Sequence, residues 1–132
     1  MSKKTIWITG GSTGIGKALA IKFASKGWNV AVSARRAELL NELSNSYENI
    51  SGFPLDVTDK EKCKEVFNEI KNKYENIDIC FFSTGTWDPK KEKDIDVEQM
   101  EDVFKVNFFG TVNSIKAVEQ YFRDKKNGII TI

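Results

Sequence analysis

The sequence predicts an α/β fold, a doubly wound parallel sheet with helices on both faces, and three observations predict it. Short apolar runs alternate with longer stretches of helical period, the pattern of β-α-β units. A glycine-rich segment, Thr9-Gly10-Gly11-Ser12-Thr13-Gly14-Ile15-Gly16, joins the first apolar run to the first helical stretch. The 132 residues show no linker, so one domain over 1–132 is expected; 40% hydrophobic and 30% charged residues are ordinary for a chain that buries a core.

The elements come in order along the chain. The run Thr5-Ile6-Trp7-Ile8 predicts a strand over 5–9, and the glycine turn then opens a helix over 15–26. Val30-Ala31-Val32-Ser33 marks a strand over 28–33 that runs through Ala34-Arg35-Arg36 into a helix over 36–47. A third strand is expected over 50–55. In the helix expected over 59–74, Cys63, Val66, Phe67, Ile70 and Tyr74 repeat at helical spacing, and Thr58 with Glu61 can form a capping box. A strand over 78–83 leads into the longest connection, the charged loop from Asp88 to Asp96 with Pro89, expected to be mobile or substrate-facing. The fourth helix, over 98–123, carries a continuous stripe of Met100, Val103, Phe104, Phe108, Thr111, Val112 and Ile115 with Asn107 inside it. A strand over 128–132 closes the series.

Composition excludes several function classes. The net charge is +1 and lysines alternate with glutamates, which reads as solvated helix faces and not as a nucleic-acid surface. No apolar run approaches the ~18 residues of a membrane span. Met1-Ser2-Lys3-Lys4 leads into a strand and not into a signal-peptide core, so a cytoplasmic location is expected. Cys63 and Cys80 fall at core positions and read as buried thiols in a reducing compartment. The chain has no histidine, which removes the commonest general base, the Ser-His-Asp arrangement and most zinc sites; no metal is expected.

The glycine segment fits two phosphate cradles. Read from Gly11 it approaches the P-loop of nucleotide triphosphatases, with Lys17 reaching the phosphates. The magnesium-binding hydroxyl should come next, however, and that residue is Ala18; the one candidate for the metal-binding aspartate is Asp56. Read from Thr9 it is a dinucleotide turn: Gly10 permits the tight bend, Gly14 and Gly16 allow close approach, and Ser12 and Thr13 add hydroxyls beside free N–H groups at a helix N-terminus. A plain strand-to-helix turn is the third possibility.

The end of the second strand bears on which dinucleotide. A free ribose 2′-hydroxyl is held by an acidic residue about 20 residues past the turn, whereas a 2′-phosphate needs positive charge there. Arg35 and Arg36 occupy that place and no carboxylate does, which favours NADP (NADPH) over NAD unless the two arginines are a solvated surface pair.

Taken with later segments, these residues resemble the short-chain dehydrogenase/reductase family. Thr9-Gly10-x-x-x-Gly14-Ile15-Gly16 is similar to its glycine motif, and Leu55-Asp56-Val57-Thr58-Asp59 to the segment whose aspartate holds the adenine amino group. Val106-Asn107-Phe108-Phe109-Gly110-Thr111 looks like its fourth-helix segment and Gly128-Ile129-Ile130-Thr131-Ile132 like its fifth strand. The resemblance implies a Rossmann fold with strand order 3-2-1-4-5-6-7, here truncated after the fifth strand. It assigns the cofactor site to Gly10, Ser12, Thr13, Gly14, Ile15, Gly16, Arg35, Arg36, Asp56, Val57, Ser83, Thr84 and Gly85. The chain departs at Phe82-Ser83-Thr84-Gly85, where the family shows Asn-Asn-Ala-Gly; Phe82 cannot replace an amide that ties strands together.

The resemblance also implies hydride transfer between a nicotinamide and a carbonyl or alcohol carbon, with a tyrosine as proton donor, a lysine four residues on and a serine after the fifth strand. Of the catalytic positions the chain holds Asn107, which in the family bends the helix and holds a water; a merely satisfied structural amide is the competing reading. Tyr121 and Lys125 have the tyrosine–lysine spacing, but the end of the fourth helix belongs at the sheet edge opposite the ligand crevice. The expectation is therefore the cofactor-binding part of an NADP-dependent oxidoreductase, inactive alone, whose complete form takes a small-molecule substrate, and a homo-oligomer through its uncovered faces. A naturally short dinucleotide-binding or interaction module is the alternative.

Overall fold

The computed structural model describes residues 3–89 and 94–132. Strand β1 (Thr5–Thr9) lies at the centre of a five-stranded sheet, with β2 (Asn29–Ser33) and then β3 (Ile50–Gly52) on one side and β4 (Ile79–Phe82) and β5 (Ile129–Thr131) on the other. Every pairing is parallel, so each connection crosses over the sheet. The crossovers are the helices α1 (Gly14–Ser25), α2 (Ala37–Ser46) and α3 (Lys60–Lys73), and then α4 (Val97–Phe104), a π-helical segment (Lys105–Gly110) and α5 (Thr111–Lys125) in continuous succession.

Strand alternation divides the core. Ile6, Ile8, Val30 and Val32 pack on one face with Ala20, Ala24, Leu40 and Leu43 from α1 and α2. Trp7, Ala31, Cys80 and Phe82 point to the other face and meet Val66, Phe67 and Ile70 of α3 and Val118 of α5. Trp7 is fully buried because its polar handle is satisfied: Nε1 donates to Ser33 Oγ at 2.9 Å, while the ring stacks on Phe67 at 5.8 Å and meets Phe82 edge-on at 5.4 Å.

Three expectations need correction. The third strand pairs over Ile50–Gly52 and not to residue 55; Phe53 and Leu55 still donate to Val32 O and Ala34 O at 2.8 and 2.9 Å, and Pro54 between them turns its nitrogen away from β2 at the open edge of the sheet. The capping box on α3 does not form. Asp59 is the N-cap and accepts from Lys62 N at 3.0 Å, while the Thr58 hydroxyl is spent on Asp56.

The fourth helix is not one helix with one buried stripe. The π segment inserts an extra residue and rotates the phase, so Met100, Phe104, Phe108 and Val112 are exposed while Ser114 and Val118 are buried. Phe104 is 62% exposed and Phe108 55% on the α4 and π-helical stretch, and Ile129 is 54% exposed on the edge strand β5.

Residues 90–93 of the loop read between Asp88 and Asp96 lie outside the described residues. At its described ends Asp96 caps α4 by accepting from Gln99 N at 3.0 Å, and the Gln99 side chain donates to Asp88 O at 3.0 Å. Among the described residues no helix is long and apolar enough to cross a membrane.

Candidate functional site

From β1 the chain goes to β2 on one side, while β4 lies on the other. The C-terminal ends of β1 and β4 therefore flank a topological switch point, and a cleft of about 940 Å³ opens there. Every residue assigned to the cofactor site from the sequence lines it: Gly10, Ser12, Thr13, Gly14, Ile15 and Gly16 after β1, Arg35 and Arg36 after β2, Asp56 and Val57 after β3, and Ser83, Thr84 and Gly85 after β4.

The turn needs glycine for reasons visible in its neighbours. Gly10 has φ +67, and a Cβ there would stand 2.8 Å from the Ser83 carbonyl oxygen. A Cβ at Gly16 would run into the Gly10 carbonyl oxygen, so its absence lets the first turn of α1 close on the end of β1. At Gly14, by contrast, a Cβ would meet nothing within 4 Å, which leaves that backbone open to the cleft.

The N-terminus of α1 is also unlike those of α3 and α4. Thr13, its N-cap, makes no side-chain cap hydrogen bond and the first turn has no acidic residue, whereas Asp59 and Asp96 cap the other two helices. The free N–H groups and positive end of the helix dipole face an open cleft, an arrangement suited to an anion such as a pyrophosphate.

At the far corner Asp56 Oδ1 accepts from the Thr58 N–H at 2.9 Å and the Thr58 hydroxyl at 2.7 Å. The Thr58 N–H does most to hold the carboxyl below its ordinary range against partial burial, and the hydroxyl, Arg35 and Lys105 add to it. Asp56 is thus an ionised acceptor at neutral pH, with the exposed Arg35 near it.

Across the cleft, Ser83 ties β4 to β1 in two ways: its N–H and its hydroxyl both donate to Thr9 O, at 3.3 and 2.7 Å. This supplies the strand tie that Phe82 cannot, since Phe82 turns inward onto Trp7. The Thr9 hydroxyl itself is buried with no partner among the described residues.

Asn107 lies in the π segment and does not line the cleft. Its Oδ1 accepts from Thr86 N at 2.7 Å and its Nδ2 donates to Thr86 O at 3.1 Å, while the Thr111 hydroxyl donates to the Asn107 carbonyl at 2.8 Å. Tyr121 and Lys125 sit at the other end of β4. The Tyr121 hydroxyl accepts from Ile77 N at 3.0 Å and Lys125 Nζ donates to Ile77 O at 2.7 Å, roughly 20 Å along the chain from Thr84 at ~3.3 Å per strand residue. They clamp the start of β4.

Sequence reasoning missed Ala34, Leu55, Phe81, Val106 and Ile132, which also line the cleft. Ala34 and Leu55 sit next to assigned residues, and strand alternation could have set Phe81 apart from Cys80 and Phe82. Val106 was hidden by the π segment. Cys63 and Cys80 are buried, and burial pushes the Cys63 thiol up to about 11 and the Cys80 thiol higher still.

The family model for short chain dehydrogenases matches residues 4–132. An uncharacterised oxidoreductase of Listeria monocytogenes is 31% identical over 98% of this chain and 54% of its own length. The 2,3-dihydro-2,3-dihydroxybenzoate dehydrogenase of Bacillus subtilis is also 31% identical, over 98% of this chain and 51% of its own. Among solved structures, a single-substitution variant of ElxO with NADPH bound superposes with a TM-score of 0.87 at 29% identity, covering 99% of this chain and 55% of that one. A short-chain dehydrogenase from Streptomyces avermitilis gives 0.87 at 26% identity, covering 98% and 48%. The chain spans about half the length of the curated relatives it matches.

Proposed function

Because the chain belongs to the short-chain dehydrogenase family, an oxidoreductase family that binds NAD(P), we propose that it is the cofactor-binding part of an NADP-dependent oxidoreductase acting on a carbonyl or alcohol. Membership sets aside the triphosphatase reading of the glycine turn. The observation that carries the preference for NADP is that the segment Ala34-Arg35-Arg36, which follows β2 and lines the cleft, holds two cations and no carboxylate. ElxO, a structural neighbour at 28 to 29% identity, has been solved with NADP and with NADPH bound, which supports the same reading.

The residues present fit a dinucleotide. Gly10, Gly14 and Gly16 with the uncapped start of α1 would take the pyrophosphate, and Ser12 and Thr13 would add hydroxyl donors. Arg35 and Arg36 would hold the 2′-phosphate through charge-assisted bonds, and the Asp56 carboxylate would accept from the adenine amino group with Val57 beside it. Ser83, Thr84 and Gly85 would border the nicotinamide. When bound, such a cofactor supplies or accepts a hydride; this chain's residues bind it, orient it and keep water from one side.

Asn107 acts in this reading as a positioning residue for the 84–86 backbone. The 132-residue polypeptide alone is expected to bind cofactor without turnover, because its Tyr121–Lys125 pair is at the wrong end of β4. The working location is the cytoplasm, and self-association through the uncovered apolar surface is part of the proposal. Fluorescence titration with NADPH and NADH tests it. Tighter binding of NADPH is the expected result, and equal or inverted affinities would overturn the NADP assignment. The second reading is a naturally short dinucleotide-binding or interaction module without redox chemistry, with which the position of Tyr121 and Lys125 is equally consistent; it too predicts NADPH binding, and it differs in predicting no turnover by any longer product of the same gene.

A further inference from the structure

Asn127 lies in the turn between α5 and β5 and is the one asparagine of the chain followed by glycine. Its side chain is exposed, and no hydrogen bond engages it among the described residues. The turn is held on both sides: Lys126, at φ 53, donates its N–H to Phe122 O at 2.9 Å, and Ile129 N–H donates to Asp78 O at 3.0 Å. Between them Gly128, at φ 128, has an N–H with no acceptor among the described residues. A Cβ on Gly128 would run into the Phe122 ring, so packing demands glycine there. Gly128 is itself exposed, so its nitrogen is open to solvent beside the Asn127 side chain.

We propose that Asn127 is a deamidation site built into this turn. The Gly128 backbone nitrogen gives its proton to solvent base and attacks Cγ of Asn127. The N–Cγ bond forms, the Cγ–Nδ2 bond breaks, and ammonia leaves with a proton from water, giving a succinimide. Water then opens the ring. Addition at Cγ gives aspartate, and addition at the main-chain carbonyl carbon gives isoaspartate, with the backbone rerouted through the side chain. No electron changes hands, and water is the one co-reactant.

Deamidation here bears on β5 and on the cleft. Either outcome adds a negative charge beside Lys125 and Lys126, and isoaspartate adds a methylene to the main chain two residues before Ile129. Ile129 is the anchor of β5 on Asp78, and Ile132 beyond β5 lines the cleft. Other asparagines are protected: the amides of Asn49, Asn107 and Asn113 donate to backbone carbonyls, and Asn45 precedes a serine inside α2.

The test ages the folded protein in mildly alkaline buffer, with a urea-unfolded sample and the Asn127→Gln variant alongside, and measures peptide masses and isoaspartyl methyltransferase labelling over time. The expected result is a gain of one mass unit on the peptide containing Asn127. It should run about tenfold faster than at any other asparagine, a barrier difference of ~1.4 kcal/mol, and be absent at that position in Asn127→Gln. That variant keeps Gly128 and so avoids the clash that Gly128→Ala would create. Modification no faster than at Asn45, or confined to the unfolded sample, would overturn the proposal.

Discussion

The side-chain amide of Asn107 hydrogen-bonds both backbone groups of Thr86, accepting from its N–H at 2.7 Å and donating to its carbonyl at 3.1 Å. This pair of bonds joins the π segment to the backbone just beyond Gly85 at the cleft wall. Asn107→Ala removes both, and two neutral hydrogen bonds in a partly exposed setting are worth about 1–2 kcal/mol together. The expected outcome is a small drop in urea midpoint with a clear rise in hydrogen exchange at Thr86. Unchanged exchange there would mean that the loop holds its shape without Asn107.

Arg35→Ala tests the cofactor assignment at one residue. Loss of a charge-assisted contact to a 2′-phosphate should weaken NADPH roughly tenfold to a hundredfold while leaving NADH nearly unchanged. Titration of both cofactors against both proteins reads this directly. Equal losses would place Arg35 on a part common to the two dinucleotides.

Gly16→Ala introduces a methyl against the Gly10 carbonyl, a backbone group that cannot swing aside. Overpacking of this kind costs about 1–3 kcal/mol. The variant should unfold at lower urea and bind NADPH more weakly, because α1 must back away from the turn. Wild-type stability together with wild-type binding would contradict the close approach of α1 to β1.

The two thiols set an alkaline limit on stability. Cys63, raised to about 11 by burial, stays protonated in the folded chain while the unfolded thiol ionises near its ordinary value, about 8.5. Protons are then bound more by the folded state, so the contribution is complete below pH ~8.5 and is lost as pH rises toward about 11. Cys80 adds in the same direction. Thermal melts should fall over that window, and a Cys63→Ala, Cys80→Ala double variant should fall less. Alkylation of the native protein at neutral pH should be slow at both thiols.

Self-association is expected through the surface of Met100, Phe104, Phe108 and Val112. Sedimentation velocity should show oligomers of the wild-type chain, and Phe104→Lys with Phe108→Lys should shift them toward monomer. A monomeric wild-type chain at every concentration would remove this prediction.

Much of the cleft was legible because its residues are required by local rules. Gly10 and Gly16 stand where no Cβ is tolerated, and Arg35 and Arg36 occupy the corner just past a strand by simple spacing. Asp59 and Pro54 show the limit at element ends. The cap expected from Thr58 and Glu61 is made by Asp59 instead, because the Thr58 hydroxyl bonds to Asp56 and the Asp59 carboxylate accepts from Lys62 N.

The amino-acid sequence by itself determined the alternation of strands and helices, the glycine turn and the charges around it, because these rest on periodicity, on sterics at single residues and on short spacings. Only the tertiary structure decided the rest. It chose the π segment that turns Phe104 and Phe108 outward, the Ser83 hydroxyl as the tie between β4 and β1, the pairing of Asn107 with Thr86, and the docking of the Tyr121 and Lys125 head groups against Ile77. Each of these brings together groups distant in the chain or shifts a helix by one residue, and such choices are made by packing across the sheet, which no local pattern encodes.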